Sequence, residues 1–387
     1  AIASGVKVDD VPTAGSIAQW EIDSVLDYGH VAHVEKVTND YIIISEDNYA
    51  PISKFQWKRI NKNDVDWPDN FIHFADKNSF SGDQFADILW YESWNNGQGK
   101  LLKTNHTTGT GLSSAHTWFS GYAAPTWADT GDFNNDGRSD IAWYESWNNG
   151  TLKVMLSNGN GFDSHTWFTG YGAPTRAFVG DFTGDGNDDI GWYESWNNGG
   201  TLKVIQASSN GKSTDGSYNW LVGYANPDWA DAGDLNGDGK DDIAWYEGWN
   251  NGTLKVIHSS GSGTHSTVNW FSGYSAPTWA KIGNFAGGLD KKEDIAWYES
   301  WNNGTLKVIP SNGTSAGAPI TWFSGYAAPT MAFAADFTGD RRTDIGWYEA
   351  SNNGTMKVVR TNNTGTGADA SYTWFSGYGA PTWAAAQ

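Results

Sequence analysis

The chain has 387 residues, among them 47 Gly and 24 Trp but no Cys, and a formal charge of -20. That length accommodates one large repeat domain and a small companion, while the lack of Cys excludes a disulfide scaffold and thiolate chemistry by these residues. The acidity excludes nucleic-acid and anionic-membrane binding, which need clustered Lys and Arg, and the absence of an apolar run near the roughly 20 residues of a bilayer span argues against membrane insertion.

Residues Ala1 to Gly5 lack a basic segment followed by an apolar one, so any signal peptide is expected to have been removed. Residues 14 to 60 then alternate strand-like runs with turns: Ala-Gly-Ser-Ile-Ala-Gln-Trp, Tyr-Gly-His-Val-Ala-His-Val-Glu-Lys-Val, Tyr-Ile-Ile-Ile-Ser-Glu-Asp-Asn-Tyr and Phe-Gln-Trp-Lys-Arg-Ile. This pattern predicts a small antiparallel sheet over 1–62. Its Gly-His-Val-Ala and Ser-Glu-Asp-Asn segments resemble the C-terminal half of a CHAP domain, the papain-like amidase/endopeptidase module of peptidoglycan hydrolases. The resemblance implies His30 as general base, Glu46 as its orienting partner and Asn48 nearby, with His33 on the opposite strand face. A CHAP domain carries its nucleophilic Cys on a helix upstream of this sheet, and neither is in this sequence. This chain alone is therefore expected to be inactive, the missing half lying on another segment or the remnant being reused as structure. Residues 63–70, with Pro68, read as a linker.

Residues 71–387 are a repeat array. Trp-Tyr-Glu begins at Trp90, Trp143, Trp192, Trp245, Trp297 and Trp347, at spacings of 53, 49, 53, 52 and 50 residues. Each copy holds four runs rich in Trp, Tyr, Val and Ile, separated by Gly, Asn, Asp and Pro, with no helical period. The prediction is all-β: a propeller of six four-stranded blades, a seventh incomplete blade being left open, with the N-terminal sheet beside it. Pro381-Thr382-Trp383 restarts the motif and could close the ring. The Asn-Asn-Gly turn suits a three-residue hairpin with a left-handed Gly, which sets Glu145 opposite Lys153, Glu247 opposite Lys255 and Glu299 opposite Lys307. A cross-strand ion pair explains this Glu better than catalysis does.

Between the first two strands of a copy lies Asp132, Asn134, Asp136, Arg138, Asp140, an oxygen spacing like that of an EF-hand loop without its final Glu. It recurs as Asp181, Thr183, Asp185, Asn187, Asp189, then as Asp234, Asn236, Asp238, Lys240, Asp242, and with Arg341 in place of Gly as Asp336, Thr338, Asp340, Arg342, Asp344. Three to four structural Ca2+ ions are expected; the competing reading is an Asp-rich turn satisfied by its own amides. Ser79, Ser81, Asp83 and Asp87 are too poor in charge, and in Asn284 to Asp294 either Lys291 or Lys292 could replace the ion. These loops resemble FG-GAP or VCBS propeller repeats, known from integrin heads and from secreted bacterial and fungal proteins, over roughly residues 70 to 387.

The opposite face should carry the Trp-Asn-Asn-Gly turns and the Gly-Tyr-x-x-Pro crossovers, whose near identity is not needed for packing. Candidate sugar-binding aromatics are Trp94, Trp147, Trp196, Trp249 and Trp301 from the turns, with Tyr122, Tyr171, Tyr224, Tyr274, Tyr326 and Tyr378 from the crossovers. Trp127, Trp229 and Trp279 join them. Exposed rings beside Asn and Glu suit a pyranose, and repetition gives avidity. Core packing is the alternative for the turn Trp. Ser351 replaces it in the sixth copy, and Arg176 and Met331 replace Trp127. The expected function is a secreted, calcium-stabilised, multivalent binder of glycans or cell-wall polysaccharide. The alternatives are a peptidoglycan hydrolase whose Cys segment lies elsewhere and an adhesion propeller that binds protein.

Overall fold

A computed structural model of the chain describes residues 7–9, 12, 16–21, 29–37, 40–46, 56–73, 79–82, 85–105, 111–286, 292–362 and 364–387. The chain divides into two compact units, Ala1–Asp76 and Lys77–Gln387. The described residues contain strands and turns and no helix.

The first unit is a six-stranded antiparallel sheet in the order Lys7–Asp9, Asn70–His73, Ile17–Trp20, His30–Val37, Tyr41–Glu46, Gln56–Asn61. Alternate residues Ala18, Trp20, Ala32, Val34, Ile42, Ile44 and Phe71 fall on one face and form its core with Ile60. The boundary differs from the expected linker at 63–70. Asn70–His73 pairs with both Lys7–Asp9 and Ile17–Trp20, and Phe71 is fully buried, so this stretch completes the sheet.

The second unit holds six four-stranded antiparallel sheets among the described residues, five of them in chain order. Blade 1 is Trp127–Gly131, Asp140–Glu145, Thr151–Ser157 and Phe162–Phe168; blade 2 is Arg176–Gly180, Asp189–Glu194, Thr201–Ala207 and Thr214–Val222. Blade 3 is Trp229–Gly233, Asp242–Glu247, Thr253–Ser259 and Thr264–Phe271; blade 4 is Trp279–Gly283, Asp294–Glu299, Thr305–Ile309 and Ile320–Phe323. Blade 5 is Met331–Ala335, Asp344–Glu349, Thr355–Thr361 and Ala368–Phe375. Blade 6 draws on both ends of the unit: Trp383–Ala386 pairs with Ile88–Glu92, followed by Gln98–Thr104 and Leu112–Phe119. The restarted motif therefore closes the ring, and each inner strand touches the next, the sixth returning to the first. This is a β-propeller.

The Trp-Tyr-Glu repeat explains why the blades stack. Each second-strand Trp stands edge-on to the Tyr of the preceding blade: Tyr91 with Trp143, Tyr144 with Trp192, Tyr193 with Trp245, Tyr246 with Trp297, Tyr298 with Trp347 and Tyr348 with Trp90, at 4.9 to 5.2 Å. All twelve rings are among the largest fully buried side chains. Edge-to-face pairs contribute about 0.5–1.5 kcal/mol beyond their buried area, and here they form an unbroken cycle.

Two local expectations need correction. Glu145 lies opposite Thr151, while Lys153 lies opposite Trp143, so the ion pair runs diagonally along one sheet face rather than directly across. Glu247 and Glu299 show the same offset. The reason is the turn, which spans Ser146 to Gly150; in it both Asn149, at φ 51°, and Gly150, at φ 57°, are left-handed.

Candidate functional site

At one end of the propeller, each turn between the second and third strands is clamped to the crossover that leaves its blade. In blade 1, Gly170 N donates to Asn149 O, Tyr171 N to Gly150 O, and Tyr144 Oη to Tyr171 O. The Tyr hydroxyl bond recurs in all six blades at 2.6 to 2.7 Å. The clamp fixes the backbone, and the residue before Asn-Asn-Gly projects outward. Trp94, Trp147, Trp196, Trp249 and Trp301 are 57 to 65% exposed, against the core-packing alternative. Their indoles lean on the crossover entering the blade: Trp147 Nε1 donates to Ala124 O at 3.2 Å, Trp249 Nε1 to Asn226 O and Trp301 Nε1 to Ala276 O, both at 3.3 Å. The Trp196 ring lies against Gly172. The exposed rings are thus held in repeated orientations along the seams between blades.

The surrounding polar groups are less available than the sequence suggests. Glu145 is buried and bonded to Lys153 and Asn148 Nδ2, and the Glu–Lys pair recurs in every blade at 2.7 to 2.9 Å. The carboxylate is spent inside the protein. Lys153 also lies 5.8 Å from the centre of the Tyr122 ring, and Lys203, Lys255, Lys307 and Lys357 lie likewise over Tyr171, Tyr224, Tyr274 and Tyr326. These tyrosines are half-buried, and Tyr378 packs on Trp90 and Phe375. Trp127 and Trp229 begin inner strands, half-buried and edge-on to Trp192 and Trp297 of the next blade; Trp279 packs with the blade 4 and 5 core. The structure therefore separates five presented tryptophans from aromatics used mainly for packing. Arg176, standing where blade 1 has Trp127, instead donates to Pro227 O and Asp228 O.

At the other end lie the acidic loops. Asp132 accepts from Asp136 N and Gly137 N, and Asp181 from Gly184 N and Gly186 N, so the first aspartate of each loop folds the turn around itself. In the 181–189 loop, however, Thr183 Oγ1, Asn187 Oδ1 and Asp189 Oδ2 are buried without a hydrogen-bond partner. Burial above all, with repulsion from Asp181, Asp185 and Asp188, pushes Asp189 up to about 8. Unpaired hard oxygens in one short loop fit Ca2+. The unpaired donors of this loop are one hydroxyl, one amide and one carboxylate oxygen. Ser79 Oγ and Ser81 Oγ both donate to Asp87, closing that loop on itself; Asp83 and Lys291 lie outside the described residues, and Lys292 packs by Gly313.

Along the propeller axis runs a cavity of about 700 Å³ lined by Asp129, Asp188, Asp231, Asp241, Lys281 and Glu293. Asp188, Asp241 and Glu293 staple neighbouring blades by accepting from Asp132 N, Asp181 N and Asp234 N. This acidic lining was missed from sequence, although Asp129, Asp231 and Lys281 share one position of their inner strands.

In the N-terminal unit, His30 Nε2 lies 2.7 Å from Glu46 Oε2, and the Trp20 ring packs 5.2 Å from the imidazole. Gln56, paired with Glu46 across the sheet, donates to its other oxygen. Gln56 and Trp20 were not foreseen; their cross-strand positions beside Glu46 and His30 were the available signal. His33 pairs with Glu35, and Asn48 lies outside the described residues.

Comparisons with known proteins agree with this layout. Residues 80–143 match the FG-GAP-like repeat model, 226–261 the FG-GAP repeat model and 1–48 the CHAP domain model. The N-acetylmuramoyl-L-alanine amidase sle1 of Staphylococcus aureus is 49% identical over 51 residues, 13% of this chain and 14% of that protein. The chain thus matches only a small part of these curated relatives. AofleA from Arthrobotrys oligospora is similar in fold, with a TM-score of 0.50 at 12% identity over 78% of this chain and 85% of that one. The BP39L lectin from Burkholderia pseudomallei gives 0.39 at 14% identity over 94% and 99%.

Proposed function

We propose that this FG-GAP propeller, joined to the end of a CHAP-like, amidase-related segment, is a secreted multivalent glycan binder that directs the protein to cell-wall polysaccharide. The observation that supports this reading most is the set of five exposed indoles, each at the same turn and leaning on a crossover. A flat aromatic plane held beside backbone carbonyls accepts the C–H face of a pyranose, and its polar rim accepts hydroxyls. Single sites of this kind are weak. Five on one face raise apparent affinity by about 10²–10⁴ through avidity, provided the ligand is itself repetitive, as a wall polysaccharide is.

Calcium has a structural part in this reading. In the 181–189 loop it would be held by Asp181, Thr183, Asp185, Asn187 and Asp189, and it would supply the positive charge that the buried oxygens lack. At a free concentration tenfold above its dissociation constant, one ion adds about 1.4 kcal/mol of stability. Loops of this type suit millimolar calcium, which supports an extracellular location. Binding to an array of glycans and peptidoglycan fragments, with and without EDTA, tests the reading; the absence of binding to any of them would overturn it.

A second reading rests on the 2.7 Å contact of His30 with Glu46, a spacing that would suit a base and its orienting partner. A segment bearing a thiol would complete a peptidoglycan amidase or endopeptidase, with the propeller as its targeting arm. Wall lysis by the thiol-complemented protein, lost in His30→Ala, would support it.

A further inference from the structure

The acidic loops of blades 2 and 3 differ most in a residue of the neighbouring third strand. In each blade the last loop aspartate uses Oδ1 to accept a third-strand amide: Ala207 N on Asp189 in blade 2, Ser259 N on Asp242 in blade 3. The residue just before that amide is Gln206 in one and His258 in the other. In blade 2 the second oxygen, Asp189 Oδ2, is buried without a partner. In blade 3 the same oxygen, Asp242 Oδ2, lies 2.9 Å from Nδ1 of the buried His258, which also lies 3.3 Å from Asn236 Nδ2. Both loops have an Asp at positions 1, 5 and 9.

We propose that His258 takes the place of the ion in the 234–242 loop, so that the 181–189 loop holds calcium and the 234–242 loop does not. The inference rests on the calcium reading given above. An imidazole N–H on a buried carboxylate satisfies the lone pair that a cation would use, and its ring fills the adjoining space. Gln206 does not cap Asp189, and the oxygen is left for a metal. Arg360 stands at the corresponding position in blade 5, but its Nη2 lies 3.9 Å from Asp340 Oδ2 and leaves Asp344 Oδ2 and Thr338 Oγ1 buried without a partner, so the 336–344 loop falls with 181–189 rather than with 234–242.

The test is a count of calcium ions retained by the full chain in native mass spectrometry, with calcium alone as the probe. The count is made for the natural sequence, His258→Leu and Gln206→His, each with its thermal melt at millimolar calcium. His258→Leu should retain one ion more than the natural sequence, and Gln206→His one fewer. If His258→Leu does not fold, the loss of one ion in Gln206→His remains decisive. Equal, non-zero counts in the folded forms would overturn the role of His258 and leave calcium binding standing. No retained ion in any form would overturn the calcium reading itself.

Discussion

At the scale of single residues, the turns show how much of the geometry Asn-Asn-Gly encodes and where the reading stopped. Gly150 is forced: a Cβ there would lie 1.9 Å from Tyr171 O. Gly150→Ala should therefore cost more than about 3 kcal/mol in chemical denaturation, while Asn149→Ala, at φ 51°, should cost about 1 kcal/mol. Equal small costs would contradict the clamp. The left-handed Gly was legible in sequence because few residues tolerate that conformation; the left-handed Asn before it was not, because Asn is common in many turns, and the missed residue shifted the Glu145 register. Asp129 gives a pH prediction. Burial first, and repulsion from Asp231 second among the raising causes, lift it above its ordinary 3.8, although Lys281 opposes. A carboxyl whose folded pKa lies above its unfolded value takes up a proton on folding, so it subtracts stability as pH rises from 3.8 through the raised value. Asp129→Asn should accordingly be more stable than the natural sequence at pH 7, with the advantage shrinking toward pH 4; an advantage that grows on acidification would refute this.

At the scale of elements, the same residue type does two jobs four positions apart. Trp143 is fully buried in the blade seam, whereas Trp147 is 59% exposed at the turn. Trp143→Ala should cost about 3–5 kcal/mol and Trp147→Ala within about 0.5 kcal/mol in melting experiments, with ligand binding affected in the opposite order. Comparable losses of stability would place the turn Trp in the core. Strand pattern and turn composition made the four-stranded blade readable, because Trp-Tyr-Glu and Asn-Asn-Gly recur in fixed order. Which aromatics are presented was less readable. Trp127 and Trp229 begin inner strands, and their half-burial against Trp192 and Trp297 depends on the neighbouring blade, a contact that no single repeat discloses. Likewise, Asn70 reads as linker and 71–73 as propeller in the sequence because the strand partners of Asn70–His73, in Lys7–Asp9 and Ile17–Trp20, lie more than fifty residues away.

At the scale of the molecule, the propeller is a closed cycle whose last seam is made by Trp383–Ala386 pairing with Ile88–Glu92. Trp383 also stands edge-on to Trp143 and donates to Ala128 O, so one short strand ties blade 6 to blade 1. Removing residues 382–387 should lower the melting temperature of the propeller and broaden its transition, since an inner edge is left unpaired; an unchanged single transition would show that the ring does not depend on this strand. Closure also bears on the proposed binding face, because it holds five exposed indoles in a fixed arrangement that a free chain of repeats would not keep. The most direct measurement is binding of the full chain to immobilised wall polysaccharide and to a glycan array, beside the Trp147→Ala, Trp249→Ala, Trp301→Ala triple variant with matched melting curves. The account expects the variant to stay folded and to lose at least tenfold in apparent affinity for one family of sugars. Unchanged binding by a folded triple variant, or no glycan binding by the natural sequence, would contradict it.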